Sequence, residues 1–137
     1  MRKKIFILLF ILLGISSQGQ VLIGLSVAEI KERYSDIKYN FKIITFHIDD
    51  VRGDVIAIDD ERAELSLYLN SEGVCRTQVV EPYDEEALKY FVELYNKKLE
   101  VVSSTEWKAY FDNGVSLVEL TYYKNIPPFF VWGEVTQ

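Results

Sequence analysis

After Asn40 this chain alternates apolar and polar residues with period two for most of its length, and each run ends in a cluster of Gly, Pro, Asn or Asp. Because successive side chains of a strand face opposite ways, this pattern predicts antiparallel strands joined by short turns. Phe41, Ile43, Thr45 and His47 fall on one face of the first run, and Lys42, Ile44, Phe46 and Ile48 on the other. Both faces are partly apolar, which suits a strand inside a sheet better than one at its edge. Asp49 to Asp54 reads as a turn, Val55 to Ile58 as a second strand and Asp59 to Arg62 as a second turn.

From Ala63 the alternation is clean, with Leu65, Leu67 and Leu69 opposed to Glu64, Ser66 and Tyr68. Asn70 to Gly73 can close a hairpin, Val74 to Val80 return as its partner, and Pro82 ends that strand. Further on, Glu100 to Phe111 reads as one strand and Val115 to Tyr123 as the next, joined through Asn113-Gly114, a pair that tolerates the left-handed backbone of a type I′ turn. Asn125 to Pro128 interrupts the pattern, and Phe129 to Val135 is the last predicted strand.

Two helices complete the reading. Ser26 and Glu29 have the spacing of a capping box, in which each side chain satisfies the other residue's backbone amide, so a short helix is predicted from there to about Tyr34. Asp84 is a second cap, followed by Glu85 and Glu86 in the first turn and by Lys97 and Lys98 in the last, the order that the helix dipole favours. Leu88, Phe91, Val92, Tyr95 and Leu99 then form one apolar stripe.

The first nineteen residues have a different character. Arg2, Lys3 and Lys4 precede an apolar run from Ile5 to Leu13, and small residues at Ser17 and Gly19 follow, as in a cleavable export signal. Cleavage after Gly19 would leave one domain, residues 20–137, in the periplasm or the medium, with no membrane insertion after the signal is removed. Three of the fifteen basic residues lie in this segment and none of the twenty-one acidic ones, so the remainder carries a net charge of −9. So acidic a chain repels phosphate backbones and anionic lipid, which argues against nucleic-acid partners. A single cysteine, Cys75, cannot form a disulfide within the chain, so stability must come from packing, for which 49% hydrophobic residues are ample.

The fold expected is therefore α+β, two helices packed on one antiparallel sheet of six to seven strands. Each half offers a capped helix followed by a meander, and Tyr68-Leu69-Asn70 with Gly73-Val74 echoes Tyr110-Phe111-Asp112 with Gly114-Val115, so a tandem helix-plus-meander repeat is a candidate. The helix start Gly24-Leu25-Ser26-x-x-Glu29-Ile30 resembles that of small bacterial envelope proteins in the beta-lactamase-inhibitor-protein-like and small outer-membrane lipoprotein A group. The chain departs from the lipoproteins in lacking a cysteine to carry lipid. The resemblance implies a non-catalytic protein-binding module of the cell envelope.

The residues support chemistry poorly. His47 is the only histidine, and with Cys75 it is the only pairing that could make a thiol nucleophile and its base. Gly-x-Ser-x-Gly, phosphate-cradling glycines and paired zinc-ligand spacings are all missing, so no cofactor is expected. Asp49, Asp50 and Asp54, predicted in one turn, are the weak candidate for a calcium site. Arg52-Gly53-Asp54 also spells an integrin-binding tripeptide, which turn chemistry already explains. The stronger feature is the aromatic surplus near the C-terminus. Pairs such as Tyr122-Tyr123 and Phe129-Phe130 cannot both be buried by one layer of helices, so some rings should be exposed or covered by another chain. Trp107, Tyr110, Tyr122 and Trp132 are the candidate contacts on an aromatic sheet face, for an envelope protein or a homodimer partner. A carbohydrate- or calcium-binding protein, or a small hydrolase centred on His47, is the alternative.

Overall fold

The computed structural model describes residues 21–137, so the expected export signal lies outside the described residues. Helix α1 (Val27–Arg33) and a 3-10 turn (Ile37–Tyr39) precede strands β1 (Lys42–Ile48), β2 (Val51–Asp59), β3 (Ala63–Leu69) and β4 (Cys75–Pro82). Helix α2 (Glu85–Lys98) precedes β5 (Glu100–Ser103), β6 (Glu106–Phe111), β7 (Gly114–Tyr123) and β8 (Ile126–Trp132). The strands form one open sheet in the order β1-β2-β3-β4-β8-β7-β6-β5, antiparallel throughout. The α+β class is therefore as expected, with eight strands instead of six or seven.

The additional strand comes from the predicted run Glu100 to Phe111, which folds back on itself at Ser104 and Thr105, so that Glu100 faces Lys108 and Ser103 faces Glu106. The Ser103 hydroxyl anchors that turn, accepting from the Thr105 amide and donating to Glu106 Oε1. The predicted turn from Asp49 to Asp54 is shorter than expected. Asp49 and Asp50 alone make it, both with positive φ, and Val51 to Asp54 continue β2. Gly53 lies inside that strand because the Phe46 ring crosses it: a Cβ there would sit 2.3 Å from the ring. Strand β1, expected inside the sheet, is an edge strand.

Asn113-Gly114 also works differently from the type I′ expectation, since Asn113 is not among the positive-φ residues. Gly114 (φ 148°) instead admits the chain near Thr136, whose carbonyl oxygen would lie 2.3 Å from a Cβ at that position. There Val115 and Thr136 exchange backbone hydrogen bonds of 2.7 and 2.9 Å.

Both helix caps form as the sequence implies. Ser26 Oγ accepts from the Glu29 amide while Glu29 Oε1 accepts from the Ser26 amide, and Asp84 Oδ1 accepts from the Ala87 amide. Cross-strand partners share a face, so the register places Ile56, Leu67, Gln78, Trp132, Val118 and Trp107 in one row under the helices. Ile58, Leu65, Val80, Phe130 and Leu120 form the next row. These rows join Ile30 and Tyr34 of α1 and Phe91 and Tyr95 of α2 in one buried cluster. Tyr95 is its hub: Phe130, Trp132 and Trp107 meet its ring edge to face at centroid distances of 4.9, 5.4 and 5.7 Å, a geometry that the aromatic quadrupole favours.

Candidate functional site

With both helices on one side, no helix among the described residues lies across the opposite face of the sheet. The same registers define its rows. Ile44, Val55, Tyr68 and Thr77 lie in one, and Ala57, Ser66, Val79, Val131, Glu119 and Glu106 in the next. Asp59, Glu64 and Glu81 face one another across three adjacent strands. The face thus has a middle of small and β-branched residues, with carboxylates along one side and Glu106 paired with Glu119 at the far strands. Like charges set directly opposite each other destabilise a sheet, so these pairs cost stability where they stand. Tyr68, Tyr110, Leu117 and Tyr123 are exposed, and Tyr123 stacks on Phe129 at 6.0 Å.

Trp107 and Trp132 do not belong to this face. Both rings have 0% exposure and lie on the helix side, where Trp107 Nε1 donates to Asn96 Oδ1 (2.8 Å) and Trp132 Nε1 donates to the Tyr95 hydroxyl (3.2 Å). As candidate contacts they are corrected to core residues. Period two explains this, because it tells which residues share a face without saying which face the helices cover. Tyr110 remains 47% exposed on the uncovered face, its hydroxyl donating to Glu100 Oε2 at 2.7 Å. That hydrogen bond, with the carboxylate's charge, raises the phenol pKa. Tyr122 is 62% exposed, but its alternation puts it on the side of Leu120. The four expected contact residues are thus not brought together on one face.

The carboxylates Asp49, Asp50 and Asp54 are likewise not one cluster, because the first two form the turn while Asp54 lies in β2 and accepts from Thr45 Oγ1 at 2.7 Å. Among the described residues no group of three or more His, Cys, Asp or Glu is placed to hold a metal ion. Arg52-Gly53-Asp54 is strand, not loop. His47 is exposed in β1, three strands away from β4, where Cys75 is buried. At about 4.8 Å per strand step this separates them by roughly 14 Å, too far for a thiol and its base. Burial pushes the Cys75 thiol up to about 12, and the thiol donates to the Thr77 carbonyl oxygen at 3.6 Å. Cys75, Ile23, Asn70 and Phe111 border a surface cleft of about 330 Å³, with the Arg76 and Glu134 ion pair on its rim. An uncharged thiol gives that cleft no activated nucleophile.

Beyond the expected residues, the structure adds the acidic ladder Asp59, Glu64 and Glu81 and the pair Glu106 and Glu119. Glu64, Glu106 and Glu119 fall in predicted strands, whereas Asp59 falls in a predicted turn and Glu81 just past a predicted strand, and nothing local in the sequence gives the register that aligns them. No helix among the described residues is long and apolar enough to cross a membrane. Comparison with family models, with curated proteins and with solved structures finds no match.

Proposed function

We propose that this protein is an exported, non-catalytic interaction module that binds another protein of the cell envelope through the uncovered face of its sheet. The observation that carries the reading is the composition of that face. Exposed tyrosines and an apolar middle of Val55, Val79 and Val131 lie beside carboxylates set against one another. Tyrosine supplies large contact area at low entropic cost, and the unfavourable acidic ladder would be relieved by a partner bearing Lys or Arg. The helix start Gly24 to Ile30, with its resemblance to envelope binding proteins, is consistent with the same reading. So is the export signal read in residues 1–19, which would put the partner in the periplasm or outside the cell. The chain order, a helix and four strands given twice with β4 and β8 meeting in the middle, further supports descent from a tandem helix-plus-meander repeat.

The test is affinity capture from envelope extract of the native host, comparing wild type with a Tyr68→Ala, Val79→Glu variant that keeps its circular dichroism. A partner retained by wild type and lost by the variant supports the reading. A partner held equally by both, or the absence of any partner, rejects it.

A further inference from the structure

Strand β1 ends the sheet, yet its sequence is that of an interior strand. Ile43, Ile44 and Ile48 are 50%, 51% and 63% exposed, and Lys42 carries its only full charge. Folded proteins normally blunt such edges with charge, proline, bulges or shortness, because unpaired backbone amides and carbonyls invite another strand. The opposite edge is blunted in these ways: β5 has four residues, begins with Glu100, and is irregular between Val101 and Ser103. Strand β1 has seven, all paired with β2 without interruption. Its far half projects as a two-stranded ribbon, since β2 meets β3 only from Val55 onward.

We propose that β1 is the interface of a twofold homodimer, in which the β1 strands of two copies pair antiparallel and join two sheets into one. The register centred on Thr45 is the one that gives all seven residues a strand partner. It sets Ile44 against Phe46 of the second copy, Ile43 against His47, and Lys42 against Ile48. A shift of two residues either way leaves two residues of each strand facing a turn or nothing. The centred register also completes the charges: the diagonal neighbour of Lys42 is Asp50 in the other copy's hairpin turn, within reach of a long side chain, and symmetry makes this contact twice. Ile44 and Phe46 from both copies form a continuous apolar strip on the uncovered side. The twofold axis is perpendicular to the sheet, so both uncovered faces lie on the same side of the dimer. This inference does not depend on the binding function proposed above.

The 137-residue chain, expressed with its native N-terminus and recovered as the cell processes it, should sediment at twice the mass of one chain. Ile44→Lys places charge in the centre of the joint and should halve the measured mass without changing circular dichroism. Thr45→Cys puts two thiols beside the axis with Cβ atoms about 4.5–5.5 Å apart, and with a small inward shift of the two edges to disulfide range, mild oxidation should link them between copies. Val51→Cys, also exposed but off the axis, should stay unlinked. A monomeric wild type, a dimer that survives Ile44→Lys, or linkage at Val51 equal to that at Thr45 would overturn the proposal.

Discussion

Gln78 and Leu22 are joined inside the core: the Leu22 amide donates to Gln78 Oε1 at 2.8 Å, and both residues have no solvent exposure. Gln78 lies in the row shared by Leu67 and Trp132, where an apolar side chain would otherwise be usual. Its amide oxygen fixes the segment before α1 across the start of β4, where Gly24 and Leu25 also exchange backbone hydrogen bonds with Cys75. Gln78→Leu would fill the space while leaving the buried Leu22 amide without an acceptor. The expected loss is about 1–3 kcal/mol, read as a lower urea midpoint with unchanged slope. An unchanged midpoint would mean that water or another group replaces the acceptor.

Trp107→Ala and Trp132→Ala should each cost about 3–5 kcal/mol, because each removes a whole ring from the Tyr95 cluster. Tyr122→Ala, at an exposed position, should change stability by no more than about 0.5 kcal/mol. Thermal melts of the three variants make the comparison. A Trp132→Ala protein that melts with wild type would contradict the enclosure of its ring.

Asp60 imposes a pH dependence on stability. Asp60 is 6% exposed, and its carboxylate accepts from the Tyr34 hydroxyl (3.1 Å) and the Glu61 amide (2.8 Å). Burial outweighs those hydrogen bonds and raises its pKa. The folded protein then holds this proton to higher pH than the unfolded chain does. The group's contribution is therefore fully present below the ordinary carboxylate value and is lost as pH rises through the raised folded value. Asp60→Asn should remove that decline, seen as a smaller drop in melting temperature across the same interval. Equal slopes for wild type and variant would refute this assignment.

The Cys75 thiol, buried and pushed up to about 12, should resist alkylation at neutral pH while the protein is folded. Labelling should follow unfolding, rising in parallel with denaturant. Rapid labelling of the native protein would show that the cleft beside β4 opens.

The sequence carried the local features well. Ser26, Asp84 and the Asn70 to Gly73 loop declare themselves through short-range hydrogen bonds, and each is found where the residues imply, with Gly73 at φ 76°. It carried poorly whatever depends on which strand lies beside which. The echo of Tyr68 to Val74 in Tyr110 to Val115 joins the β3–β4 hairpin to the β6–β7 hairpin, whereas the chain order makes β7–β8 the counterpart of β3–β4. That echo therefore reflects turn chemistry common to hairpins. The burial of Trp107 and Trp132 and the edge position of β1 were hidden for the same reason, since alternation says nothing about neighbours across the sheet.

The seam between β4 and β8 sets an order of events. Val80 meets Phe130 and Gln78 meets Trp132 there, so the two halves of the sheet are joined by the last of the described strands. A chain leaving a ribosome presents this keystone after the other seven described strands. Until then the meander from β1 to β4 has an open flank at β4, and the β1 edge is exposed as well. Such a protein gains from being kept extended, or shielded by a chaperone, until β8 arrives, and shortening the chain within β8 would remove the strand pairing that joins the two half-sheets.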